Sequence, residues 1–161
     1  MTDIERLDRI DERILKELSA DGRLSIAALA RRVNLSKTPC QARVKRLEQA
    51  GYILGYRAII NPEKLDRAHI AFVEVKLTDT RAGALDAFNK AVMKMPEIEQ
   101  CNMIAGSFDY LLRVRTRDIA DYRAVLGEKI SALPHVAHTS TYVSMENVKD
   151  VDHDAVGPDV L

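Results

Sequence analysis

Between residues 7 and 51 the apolar side chains of this chain recur three and four residues apart, whereas from residue 69 onward most come in short runs that alternate with polar ones. Such a change of period constrains the fold more than any single motif. A helical first part and an alternating second part cannot share one sheet, so the chain is read as two modules of different class. At 161 residues there is room for two small domains, each with a modest core.

In the first module, LDRIDERILKEL places Leu7, Ile10, Ile14, Leu15 and Leu18 on one helical face, and Gly22 follows after a short exit. A second helix starts at Ser25, a good N-cap, and passes through Leu29, Ala30 and Val33 before Asn34, Leu35 and Ser36 break the pattern. Ser36 then caps a third helix with Pro39 in its first turn, where the missing N–H costs nothing, and Gly51 stands at its end. Three helices with a three-residue turn before the last form a helix-turn-helix, whose third helix enters the major groove of DNA.

Charge supports that direction. The net charge is zero, but residues 1–60 hold 12 Lys and Arg against 8 Asp and Glu, and the remainder holds 12 against 16. Within residues 29–53 six cations face Glu48 alone. On the third helix Cys40, Val44 and Leu47 share the face that must be buried, and Thr38, Ala42, Lys45 and Gln49 point away. Lys37, Thr38 and Gln41, beside Ser36 at the helix start, are the candidates for base edges, because Gln pairs with adenine and Lys with guanine. Arg31, Arg32, Arg43, Lys45 and Arg46, with Arg57 beyond the helix, are the candidates for phosphates.

The segment GYRAIINPEKL reads as a connecting strand ended by Asn61 and Pro62. After it come a strand over 69–77, a helix over 84–95 stopped by Pro96, two strands joined near Gly106, Ser107 and Phe108, a helix capped by Asp118 and stopped by Pro134, and a last strand over 136–145. The order β-α-β-β-α-β is that of a ferredoxin-like unit, so the whole is expected to be α+β: a helix-turn-helix domain over 1–52, a linker over 53–67, a ferredoxin-like domain over 68–146 and an acidic tail over 147–161. Both helices of such a unit cover one face of the sheet. The other face also carries apolar residues, Ile70 and Phe72 among them, which implies a second copy and a homodimer.

Other classes find little support. No apolar run reaches the roughly 20 residues of a membrane span, and the N-terminus lacks a secretory pattern, so a cytoplasmic protein is expected. Cys40 and Cys101 read as reduced packing residues. His135 and His138 do not complete a metal-ligand set with Cys101, and the common nucleotide-binding and nucleophile-elbow motifs do not occur. Asp150, Asp152 and Asp154 alternate as in a calcium loop, but Ala155 and Leu161 stand where such a loop needs Gly and Glu. Neither strand 98–104 nor strand 110–116 supplies the aromatic platform of an RNA-binding sheet. Gly127 inside a helix suggests close packing.

The motifs LDRIDERIL, DGRLSIAALARRVNLSKTPCQARVKRLEQAGYI, GYRAIINPEKL, GSFDYLLRV, LPHV and TYVSME, in this order, resemble the Lrp/AsnC family of leucine- and asparagine-responsive bacterial regulators. The resemblance implies a winged or extended helix-turn-helix, a ferredoxin-like effector domain, dimers that assemble into octamers or other higher oligomers, nucleoid association, and control by a small amino acid such as leucine or proline with no cofactor. It points to Met103, Gly106, Ser107, Asp109 and Tyr110 for the effector, and to Thr139, Thr141, Tyr142 and Ser144 on the last strand. Backbone N–H groups around Gly106 would hold a carboxylate and Asp109 an ammonium. Two departures stand out: TYVSME where leucine-responsive members usually have TYVVME, and SKTPC where many relatives have SPTPC. Effector-independent architectural DNA binding is the alternative, and an enzyme on the ferredoxin-like domain a more distant one.

Overall fold

The computed structural model describes residues 7–149. The predicted acidic tail and its alternating aspartates lie almost wholly outside them. The described chain forms two compact units that divide between Ile59 and Ile60.

The N-terminal unit contains α1 (Arg9–Ala20), α2 (Ile26–Arg32) and α3 (Lys37–Gln49). α1 starts later than the apolar pattern suggests because Asp8 is a strong N-cap. Its carboxylate accepts from the Ile10 and Asp11 N–H groups at 2.9 and 2.8 Å, and Asp11 answers by accepting from the Asp8 N–H at 3.2 Å. This is a reciprocal capping box built from two aspartates. Ser25 caps α2 through its hydroxyl, at 3.2 Å from the Ala28 N–H. The turn between α2 and α3 is made possible by Asn34 at φ 57°, a conformation that asparagine tolerates. Ser36 occupies the cap position of α3 without a side-chain capping bond, and Gly51 ends the helix at φ 77°. The core is aliphatic: Ile14, Leu29, Ala30, Val33, Val44 and Leu47, with Cys40.

The connecting segment differs from its expectation. Residues 53–61 belong to no strand, since a strand needs a neighbour to hydrogen-bond, and the described chain offers none there. The segment is closed by Asn61, whose side chain accepts from the Glu63 N–H at 2.9 Å and starts a single 3₁₀ turn, Glu63–Leu65.

The C-terminal unit follows the expected order with β1 (His69–Leu77), α4 (Ala82–Val92), β2 (Ile98–Met103), β3 (Tyr110–Thr116), α5 (Ile119–Val125) and β4 (Val136–Val143). The sheet order is β2-β3-β1-β4, and all three pairings are antiparallel. Strand alternation sends Ala71, Val73, Val75 and Leu77 toward the helices, where they meet Phe88, Tyr110, Leu112, Val114 and Tyr122. The ring centroids of Phe88 and Tyr110 lie 4.4 Å apart. Ile70, Phe72, Glu74 and Lys76 occupy the opposite face, on which Phe72 and its cross-strand neighbour Tyr142 remain exposed. α5 is shorter than predicted because it passes into a π-helical turn, Leu126–Ile130. Gly127 lies in that turn with open space where a Cβ would stand, so close packing is not the reason for it.

Candidate nucleic-acid interface and effector site

Lys37, Thr38, Gln41 and Lys45 are exposed along α3, as its apolar spacing requires. Arg43 and Arg46 are not free in the same way. Counted at 100° per residue, they fall on the flank of α3 between its buried stripe and its outward side. There they meet the start of α1. Arg43 Nη1 donates to Asp8 at 2.6 Å and to Asp11 at 2.8 Å, and Arg46 Nη2 donates to Asp11 at 2.5 Å. The Asp11 side chain is 1% exposed, whereas those of Asp8, Arg43 and Arg46 are 49%, 28% and 37% exposed.

The electrostatics match this geometry. Burial pushes the Asp11 carboxyl up, but hydrogen bonds from Arg46 and Arg43 outweigh it and hold the group below the ordinary carboxylate range. Asp8 is held down at about 2, first by the Asp11 N–H and then by Arg43. On α2, Arg32 pairs with Glu17 at 2.9 Å, and its carbonyl accepts from Arg13 at 2.6 Å, while Arg31 is exposed. Arg57 lies on the extended segment. The sequence foresaw the positive face but missed the carboxylates beneath part of it; the D-x-x-D capping spacing of Asp8 and Asp11 was the available signal.

The effector candidates are distributed more widely within one chain. Gly106 and Ser107 form the turn between β2 and β3, which is closed by the Ile104 N–H donating to the Asp109 carbonyl at 2.9 Å. The Asp109 carboxylate accepts from the Leu77 N–H at 2.8 Å and from Lys76 Nζ at 3.0 Å. Those partners, the backbone N–H first, hold its pKa below the ordinary carboxylate value. Tyr110 is 2% exposed. Its register with Leu112 and Val114 turns the ring into the core of a single chain.

Met103 pairs with Tyr110 at the edge of the sheet and is exposed. Thr139 and Thr141 point to the helix side, where the Thr141 hydroxyl lies 2.6 Å from the Tyr122 hydroxyl. Tyr142 and Ser144 alternate onto the other face. The Ser144 N–H donates to the Ile70 carbonyl at 2.9 Å, five strand positions from Val75, whose neighbour is Tyr110. At about 3.3 Å per residue that is roughly 16 Å along the strand. One chain therefore does not bring the hairpin and the end of β4 together.

A helix-turn-helix followed by a ferredoxin-like sheet defines the class by fold, a DNA-binding type of module joined to a second, sheet-based domain. Comparison with known proteins specifies it further. Residues 7–53 match the winged helix-turn-helix DNA-binding model, and residues 70–153 match the Lrp/AsnC ligand binding domain. The chain belongs to the Lrp/AsnC family of transcriptional regulators. It is 62% identical over 144 residues to the proline dehydrogenase transcriptional activator of Rhizobium radiobacter, covering 89% of this chain and 92% of that one. It is 50% identical over 143 residues to the leucine-responsive regulatory protein of Escherichia coli K12, covering 89% and 87%. Among solved structures it resembles a transcriptional regulator of Neisseria meningitidis in complex with L-Met, at a TM-score of 0.85 and 30% identity, covering 90% and 94%. The chain is thus a DNA-binding regulator that responds to an amino acid, and not an enzyme. Among the described residues no helix is long and apolar enough to cross a membrane.

Proposed function

We propose that the chain is a proline-responsive regulator of proline catabolism that acts in the cytoplasm on nucleoid DNA. The observation that carries this reading is the 62% identity, over nearly the full length of both chains, to a relative named as the activator of proline dehydrogenase. A second relative of that name, from Rhodobacter capsulatus, is 56% identical. Ser144, where leucine-responsive members usually carry an aliphatic residue, favours a ligand other than leucine. Leucine is the second reading, supported by the 50% identity to the leucine-responsive relative.

The exposed face of α3, with Lys37, Thr38 and Gln41 at its start, reads base edges, and the neighbouring cations bind phosphates. The active form is a homodimer or a higher oligomer such as an octamer. Its effector site is composed between copies from Met103, Gly106, Ser107 and Asp109 of one chain and the β4 residues Tyr142 and Ser144 of another. Supporting this are the separation of those groups within one chain and the uncovered Phe72 and Tyr142.

The test is a thermal-shift screen against the proteinogenic amino acids, followed by binding to the upstream DNA of the proline dehydrogenase gene with each hit. Proline should raise the melting temperature and alter DNA binding, and Asp109→Ala should remove that response while leaving DNA binding intact. Stabilisation by leucine alone would transfer the assignment to leucine. No response to any amino acid, with DNA binding intact, would favour an architectural role.

A further inference from the structure

Arg43 does two jobs with unlike partners. Its Nη1 is held by the buried Asp11 at 2.8 Å and, at 2.6 Å, by Asp8, a carboxylate that stands at the surface. Asp8 borders a shallow depression of about 360 Å³ on the side of α3, lined also by Pro39, Ala42, Arg43 and Arg46. A DNA phosphate drawn to this flank would meet Arg43 already neutralised, with an anion beside it. Asp11 and Asp8 therefore differ in role. Asp11 lies beneath the arginines and orients them, while Asp8 occupies the outer position, where a phosphate oxygen would bind.

We propose that Asp8 is an intramolecular phosphate mimic that competes with the DNA backbone for Arg43 and so restrains sequence-independent DNA affinity. This rests on the reading above that the exposed side of α3 faces DNA. Arg43 Nη1 gives one N–H to Asp11 and the other to a single oxygen of Asp8, so a phosphate oxygen takes that N–H only by displacing Asp8. Because Asp8 remains charged throughout the neutral range, the restraint is constant and is not switched by pH. It acts on the phosphate part of binding, which carries no sequence information, and leaves base reading by the far side of α3 untouched. The effect is to lower affinity for every duplex alike, so that the protein releases DNA more readily while its ratio of specific to non-specific binding is unchanged.

Asp8→Asn isolates this role. Asparagine is as good an N-cap as aspartate, so the hydrogen bonds to the Ile10 and Asp11 N–H groups survive while the charge facing Arg43 is lost. Asp86→Asn, which removes one exposed carboxylate paired with Lys90 in the C-terminal unit, controls for net charge. The probe is a labelled mixed-sequence duplex of about 30 base pairs, titrated between about 50 and 200 mM salt.

Asp8→Asn should bind about three- to tenfold tighter at the low-salt end, with a log–log salt slope steeper by about 0.9, because one more phosphate is neutralised. Asp86→Asn should match the parent. If the parent binds and Asp8→Asn binds equally or more weakly, or Asp86→Asn tightens as much, Asp8 is not a competitor and the proposal falls while the DNA-facing reading stands. If the parent shows no salt-dependent binding to this duplex or to the proline dehydrogenase upstream DNA, the DNA-facing reading itself falls.

Discussion

The two units are held together by different means. The C-terminal core is aromatic as well as aliphatic, with Phe88, Tyr110 and Tyr122 packed between a four-stranded sheet and its helices. The N-terminal core contains no aromatic residue among its buried members, and its helices span only 12, 7 and 13 residues. So small an aliphatic core offsets little of the chain's conformational entropy. Its docking of α1 on α3 is completed instead by one buried carboxylate and two arginines. Among the described residues each unit buries one charged side chain, Asp11 in the first and Arg115, paired with Glu99 at 2.5 Å, in the second, but only the C-terminal core adds the shape of packed rings.

This contrast between the units is most exposed to Phe88→Ala, which should cost the C-terminal unit about 3–5 kcal/mol through lost burial and a cavity against Tyr110. Urea titration followed by hydrogen exchange of separate peptides would locate the loss, and protection of β1 should fall first. Next comes Asp11→Ala, which removes the buried carboxylate from beneath two partly exposed guanidiniums and is expected to cost about 2–3 kcal/mol, read as lost protection in α1 and α3. A loss below about 0.5 kcal/mol would show that the aliphatic core suffices and that the charge is incidental.

Acid should act on the same unit. Asp8 and Asp11 both have folded pKa values below their unfolded ones, Asp8 at about 2. Groups of that kind contribute stability that is fully present above the unfolded carboxylate value of about 3.9 and is lost as pH falls through the folded value. The N-terminal helices should therefore lose protection between about pH 4 and pH 2, and Asp11→Asn should blunt that dependence. An equal acid sensitivity in parent and variant would assign the effect to other carboxylates. The smallest expected change is Gly127→Ala in the π-helical turn, where a Cβ meets open space: a gain of about 0.5–1 kcal/mol in the C-terminal unit. A loss there would mean that the turn needs glycine's backbone freedom.

Much of the fold was legible in the sequence because its signals are local. Ser25, Asn34 and Gly51 mark the ends of helices by their own chemistry, and Asp118 caps α5 through its side chain at 2.8 Å from the Asp121 N–H. The connecting segment misled because its alternation describes an extended chain, and whether such a chain joins a ladder depends on a neighbour. The binding face was legible only in part. Lys37, Gln41 and Lys45 are exposed as the helical wheel requires, but Arg43 and Arg46 meet residues more than thirty positions earlier. Nothing near them in the sequence identifies those partners.

Taken alone, the sequence determined the change from helical to alternating period, the order of elements and the family, since each rests on neighbouring residues or on motifs in series. Tertiary structure decided which cations are already paired and which way Tyr110 turns. It also decided that the hairpin and the end of β4 stay apart in one chain. The physical reason is the same in all three cases. Periodicity divides an element into two faces, but only the docking of distant elements selects the charge or surface that covers each face.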